Sequence, residues 1–419
     1  MRVNTKRGLL AAGVLAVTAA LTLTGCSGNS SDKSDKGGAA PKHTAVTLTV
    51  WGPQEDQTDA NSWLPVQEAA FEKAHPEYTM TWKNSVVAEG DAATTVKQDP
   101  SAAADVYMFA NDQLGTLVES NAIGVLPPDA VAQVKKQNTD VMVTSVTGTD
   151  GKLYGVPYTA NTWFMYYNTS KFSADDAKSL DAMLAKGKVA FPLDNSWYLP
   201  AFYTGNGSTL FGADGTDESA GFGFTGQSAA DVTTYLTALA KNKNFVNDAN
   251  GAGLAGLQHG TIDAYFSGSW DAAAVKAALG SNYGAAQPAS YTLGGAQVQL
   301  KAFAGSKAVA FNPNASNPKV AAQFAAFLGS ADAQKSHYTL RGIIPSDKSL
   351  ATEANIAADP VAVAQINTIT NASVLQPTVP KMGNFWDPTA AFGKAILSGD
   401  VNASNAAAKT EAWNSSMNK

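Results

Sequence analysis

A chain of 419 residues exceeds what one hydrophobic core usually covers, which favours two or more domains. Hydrophobic residues at 45% and aromatics at 9% are ample for globular cores, and charged residues at 15% are few, so disorder is expected only at the N-terminus. The formal net charge of -6 leaves no basic footprint for a phosphate backbone and excludes nucleic acid as the expected partner.

Arg2, Lys6 and Arg7 form a positive start, and Leu9 to Leu23 an apolar run that is short of the ~20 residues needed to span a bilayer. The run closes with Leu23-Thr24-Gly25-Cys26, which holds the only cysteine of the chain. This LTGC resembles the bacterial lipobox, which implies a signal peptide over 1–26, cleavage before Cys26 and lipidation of that residue; an ordinary secretion signal with an incidental cysteine is the competing reading. With Cys26 consumed no disulfide can form, and lipid chains would tether the protein to the outer face of the membrane. Residues 27–44, SGNSSDKSDKGGAAPKHT, hold no large apolar side chain and cannot offset the entropy of ordering, so they read as a flexible leash.

The folded part opens with AVTLTVW (45–51), a β-branched alternation that predicts a strand. Trp63, Val66, Ala70, Phe71 and Ala74 recur at helical spacing up to Pro76. EYTMTW (77–82) and ADVYMFA (104–110) predict two further strands, and Leu114, Leu117 and Val118 a helix that Asn121 can close. The order is that of an α/β fold with a largely parallel sheet. TWFMYYN (162–168) predicts an aromatic strand. Ser228 with Asp231 predicts a capped helix start, and TIDAYFSGSW (261–270) a strand opening into a helix. Asn317-Pro318 predicts a helix with Val320, Phe324 and Leu328 on one face and Gly329 at its end.

Several chemistries lack their motifs. Four scattered histidines without H-E-x-x-H give no zinc site, and no G-x-S-x-G or G-x-x-x-x-G-K-[ST] is present, so no metal or cofactor is expected. GFGFTG (221–226) matches G-x-G-x-x-G but follows ADGTDESA, which is no buried strand, so it reads as a loop. NDANG (247–251) lacks the closing Glu of a calcium loop and reads as a solvated turn. What remains is a recurrence of aromatic rings beside amides and carboxylates. Trp51 precedes Gln54 and Glu55, Phe109 precedes Asp112 and Gln113, and Asn161 precedes Trp163. Asn195 precedes Trp197, Ser269 precedes Trp270, and Trp386 precedes Asp387. A sugar presents a C–H face that packs on a ring and hydroxyls that planar acceptors and amides take, whereas any one tryptophan by itself is more often core.

These segments carry a family resemblance. DVYMFANDQLGTLVESNAIGVL (105–126), GKLYGVPYTANTWFMYYN (151–168), SGSW (267–270) and VPKMGNFW (379–386) resemble segments of the extracellular solute-binding proteins of sugar ABC transporters, most of all maltose- and maltodextrin-binding proteins. The resemblance implies a two-lobe, periplasmic-binding-protein-like α/β fold whose ligand sits between lobes joined by hinge strands. The lobes are expected over 45–157 with 308–353 and over 158–307 with 354–419, with crossings near Pro157, Ser306 and 350–355. Asp112 is carried over as a hydroxyl acceptor and Phe109 as a ring of the first wall. Trp270 and Trp386 are stacking platforms, and Trp197 replaces a stacking Tyr. Asn161 and Asn195 stand where the maltodextrin binders have Glu, Gln113 where they have a basic residue, and Asp387 where they have Tyr; Gln54 and Glu55 are placed by position in the first loop.

The implied function is capture of maltose or maltooligosaccharides by hinge closure and delivery to membrane permease subunits, by a monomer that performs no catalysis. A binder of another oligosaccharide, such as a fructo-oligosaccharide, galactoside or host glycan, is the alternative. A secreted glycoside hydrolase would need two carboxylates ~5 to 9.5 Å apart, for which Asp112 and Asp387 are the available pair.

Overall fold

The structure is a computed structural model that describes residues 43–99 and 103–419; the signal segment with Cys26 and nearly all of the leash lie outside the described residues. The strands in chain order are β1 (Thr44–Gly52), β2 (Tyr78–Val86), β3 (Val106–Ala110), β4 (Val156–Asn161), β5 (Phe164–Asn168), β6 (Val189–Phe191) and β7 (Phe245–Asn247). They continue with β8 (Ala264–Ser267), β9 (Tyr283–Ala286), β10 (Ser290–Leu293), β11 (Ala296–Gln299), β12 (Ala302–Phe311) and β13 (Ser373–Leu375). Residues 43–419 form one compact unit built on two main sheets.

The first sheet runs β13-β12-β3-β1-β2, with β4 also paired to β12. β1 lies parallel to β2 and β3, but β12 is antiparallel to both β3 and β4, so this sheet is mixed rather than largely parallel. The reason is that β12 returns to the sheet from elsewhere instead of following a crossover helix. β3 is buried along its whole length, as a continuous apolar run at a sheet centre requires, and β2 at the edge alternates half-buried Tyr78, Met80 and Trp82 with exposed neighbours. The helix Trp63–Ala74 covers one face, but its buried residues are Trp63, Leu64, Gln67, Glu68 and Phe71, a stripe rotated from the expected one. The rotation follows from the helix Ala331–Arg341 beside it, where Trp63 Nε1 donates to the Ala333 carbonyl at 2.9 Å and Gln67 Nε2 to Ser336 at 3.0 Å.

The second sheet runs β7-β6-β8-β5-β9 and is buried on both faces. β5 shows why the aromatic segment is so dense. Met165 and Tyr167 point with Trp163 into one core, and Phe164 and Tyr166 into the other, as the two-residue period of a strand dictates. The following helix begins at Gly226 with Thr225 before it, two residues ahead of Ser228, whose hydroxyl is held instead by Asn206. Residues 221–225 form the loop into that helix, and Gly226, the last of the GFGFTG segment, is its first residue. In the 247–251 turn, Asp248 accepts from the Gly253 N–H.

Three passages of chain join the two cores. Val156 and Tyr158 of β4 belong to the first and Trp163 to the second. Within β12, Ala302 and Phe303 belong to the second and Ala308 to Phe311 to the first. The third passage lies between Ala333, in the first core, and Ile344, packed under the second sheet, ahead of the 350–355 expected from sequence. At the middle passage Ser306 and Ser145 share a buried hydroxyl contact of 2.7 Å. The β12–β4 register slips between Lys307 and Ala308, leaving Tyr158 as the extra residue. A bulge of this kind re-aims side chains, and it follows Pro157, which has no N–H for the ladder.

Candidate ligand-binding site

A cavity of 470 Å³ is bordered by the ends of both sheets and by the strands that join them. Each wall has its own source. Glu89 and Gly90 come from the turn after β2, Ala110 and Asp112 from the end of β3, and Asn161 and Lys307 from the joining strands. Trp197, Trp270 and Trp386 come from the second sheet's loops and helix starts, and Gln376 from the residue just after β13. Ligands of α/β sheets collect at such strand ends because the backbone there turns and opens toward solvent.

The polar wall is tightly determined. Gln113 is spent on the main chain: its Oε1 accepts from the Ala93 N–H at 2.7 Å and its Nε2 donates to the Gly90 carbonyl. It therefore holds the turn that carries Glu89 instead of facing the cavity. Burial by itself would push the Glu89 carboxyl up. Lys307 Nζ at 3.1 Å and the Tyr158 hydroxyl at 2.6 Å outweigh burial and hold it below the usual carboxylate range. Asp112 has no such counterion among the described residues. Its carboxyl is pushed up to about 7 by burial, opposed by its own main-chain N–H. It is thus a cavity-lining carboxyl without a salt-bridge partner among the described residues. The Asn161 side chain, half-buried at the end of β4, makes no hydrogen bond among the described residues and points its amide group at the same space.

The aromatic wall is half-open. Trp197 and Trp386 are half-buried, and Trp270 is 46% exposed, a large cost for a ring of this area unless something covers it. Trp197 Nε1 donates to Gln376 Oε1 at 2.9 Å, which fixes the ring's edge, and Trp197 stands 6.0 Å from Trp270 with the planes tilted by 32°. Trp386 opens the helix Trp386–Ser398 and rests edge-on against Phe385 at 5.2 Å. Phe385 and Phe392 are core residues, Phe392 stacking on Trp413 at 4.5 Å.

Other residues proposed from sequence fall elsewhere. Phe109 is wholly buried against Gly155, because β3 is central in its sheet and offers no open face; it supports the wall from behind. Asn195 is exposed and accepts from the Trp197 N–H at 2.9 Å, so it shapes the turn that presents Trp197. Asp387 is exposed in the first turn of its helix and does not border the cavity that Asp112 lines, so the two carboxylates paired from sequence do not share it. Gln54 and Glu55 are exposed on the turn after β1; Glu55 borders a neighbouring chamber and Gln54 neither. Trp51 and Trp163 are core, packed on Tyr107 and Tyr198. Sequence reasoning passed over Glu89, Lys307 and Gln376. None of the three sits beside a ring in sequence, and the only available signal was a lysine, Lys307, interrupting an otherwise apolar strand. Among the described residues no group of acidic, histidine or cysteine side chains could hold a metal, and no helix is long and apolar enough to cross a membrane.

Two α/β cores with an aromatic and polar cleft at their junction define a protein of the two-lobe class, and comparison with known proteins agrees. The profile of the family described as bacterial extracellular solute-binding protein matches residues 68–364. A solved structure described as "with acarbose" shares 49% identity, with a TM-score of 0.85 over 89% of this chain and 99% of that one. A maltodextrin-binding protein from L. casei BL23, solved without ligand, shares 30% identity with a TM-score of 0.82, over 90% of this chain and all (100%) of that one. The maltooligosaccharide ABC transporter solute-binding lipoprotein of Streptococcus pneumoniae (strain ATCC BAA-255 / R6) is 26% identical over 93% of this chain and 92% of its own length. The chain belongs to the bacterial extracellular solute-binding protein family, a family of binding proteins and not of enzymes.

Proposed function

We propose that this protein is the substrate-binding component of an ABC importer and captures maltose and maltooligosaccharides without chemically altering them. The observation that carries the reading is the meeting of Trp197, Trp270 and Trp386 with Asp112, Asn161 and the Glu89–Lys307 pair around one cavity. Rings take the C–H faces of pyranoses and the polar groups take their hydroxyls, a division that suits an α-glucan. The similarity to an acarbose complex and to maltodextrin binders supports the same ligand class.

The two cores act as lobes, hinged where β4, β12 and the passage between Ala333 and Ile344 join them. The first lobe comprises 45–157 with 308 to about 341, and the second the rest of the folded chain. A ligand touching both walls stabilises the closed form because only that form offers both sets of contacts. Permease subunits then read closure, and a lipid on Cys26 keeps the monomer on the outer face of the membrane. Calorimetric titration of the chain after Cys26 with maltose, maltotriose and maltotetraose beside raffinose and lactose tests this. Heat from the α-glucans alone is expected. Binding of lactose or raffinose in their place would reassign the ligand, and release of reducing sugar from maltotetraose would replace binding with catalysis.

A further inference from the structure

The joining strands are not the only link between the two cores. Val379 and Met382 belong to the second core and Leu114 and Leu117 to the first, yet the segment from Gln376 to Pro380 lies directly on the turn that follows β3. Two hydrogen bonds fasten it there. The Gly115 N–H donates to the Thr378 carbonyl at 3.1 Å, and Asn111 Nδ2 donates to the Gln376 carbonyl at 3.4 Å. Only a glycine at 115 allows this approach, since a Cβ there would stand 2.4 Å from the Thr378 oxygen. Gly115 lies within the helix Leu114–Glu119, a place where alanine would otherwise be preferred.

Asn111 carries the second observation. It is wholly buried, and its Oδ1 accepts from no group among the described residues. The amide lies over Gly305 of β12, where a Cβ would stand 2.1 Å from that oxygen, on the middle passage between Phe303 in the second core and Ala308 in the first. A buried acceptor without a partner is costly, and a core built for cohesion alone would hold an apolar side chain here. What the amide does reach is Gln376, whose N–H donates to the Ala304 carbonyl at 2.8 Å and whose Oε1 holds Trp197 Nε1 at 2.9 Å. The same segment continues through Pro380–Asn384 into the helix that Trp386 opens. On the other side, Asn111 directly precedes Asp112 of the polar wall. Both walls of the cavity are thus referred to one set of contacts beside β12, where lobes turning about the joining strands move least.

Resting on the proposed α-glucan reading, we propose that Asn111 and Gly115 are positioning residues for the sugar: they clasp the 376–380 segment to the first core and so set where the aromatic wall stands relative to Asp112. Neither touches the ligand; Asn111 acts through Gln376 on Trp197, and the ring faces stay free. The test is calorimetric titration of the mature full-length chain with maltotriose, with thermal melting of each variant beside it. Asn111→Ala is expected to weaken binding about fivefold in the wild-type background and less than about twofold in Trp197→Phe, whose ring keeps its face but has no Nε1 to bond Gln376. A loss of equal size in both backgrounds overturns the path through Gln376, because a general loosening of the core would not depend on that donor. Gly115→Ala is expected to weaken binding about tenfold. Wild-type affinity in this variant, with melting unchanged or raised as the better helix former would give, overturns the clasp. Should Gly115→Ala not fold, the Asn111 comparison decides alone. Absence of maltotriose binding in the wild type overturns the α-glucan reading itself, and the positioning roles with it.

Discussion

The two walls of the cleft are made by opposite means. The first is polar and held from behind: Gln113 fixes the Glu89 turn through two main-chain contacts, and Lys307 and Tyr158 converge on Glu89 itself. The second is aromatic and held at the edges: Gln376 fixes Trp197 by one hydrogen bond, and Trp270 is largely open. Directional hydrogen bonds demand preorganised groups, because a donor misplaced by an ångström loses its bond, whereas a ring face tolerates sliding. A binder can therefore keep one rigid wall that reads hydroxyl positions and one adaptable wall that accepts successive sugar faces.

The largest test of this contrast is Lys307→Met. It leaves a buried carboxylate with only Tyr158 for support, and removing one partner of a buried pair costs about 3–5 kcal/mol. Because Lys307 is 27% exposed, a loss nearer ~2 kcal/mol is expected. Glu89 has a lowered carboxyl pKa in the folded wild type, so its contribution is present above the ordinary carboxylate value and is lost as pH falls below that value through the lowered one. Thermal melting should thus show the deficit of the variant at neutral pH and a smaller one in acid. A melting point unchanged at pH 7 would mean that the polar wall is not held by this pair.

Next in size, Trp386→Ala should weaken maltotriose binding by about 30-fold, roughly 2 kcal/mol, as loss of a central aromatic contact usually does. Melting is expected to fall less than for Lys307→Met, since this ring leans on Phe385 from the edge of the core. Full affinity in the variant would remove Trp386 from the cleft.

The smallest effect concerns Asp112. A carboxylate accepts hydroxyls more strongly than a carboxylic acid, and this group ionises at about 7. Affinity should therefore grow as pH rises from 6 to 8, by no more than about tenfold, and Asp112→Asn should flatten the profile. A flat profile in the wild type would show that Asp112 does not meet the ligand.

What was legible in the chain follows a physical rule. The strand at 45–51, the helix at 63–74 and the aromatic strand at 162–168 are fixed by periodicity that a short window carries. Trp270 and Trp386 were legible through the family-like segments SGSW and VPKMGNFW, and Trp197 as the ring that follows Asn195. The same ring-plus-amide pattern also marked Trp51 and Trp163, which the structure buries, because pattern alone does not say which way a strand-end side chain points. Sequence by itself determined the element types, the apolar content of two cores and the mixture of rings with amides. Only tertiary structure decided that Lys307 reaches Glu89 across 218 positions of sequence, that Gln376 holds Trp197, and that Gln113 faces inward. These are contacts between segments far apart in the chain, and no local period encodes them.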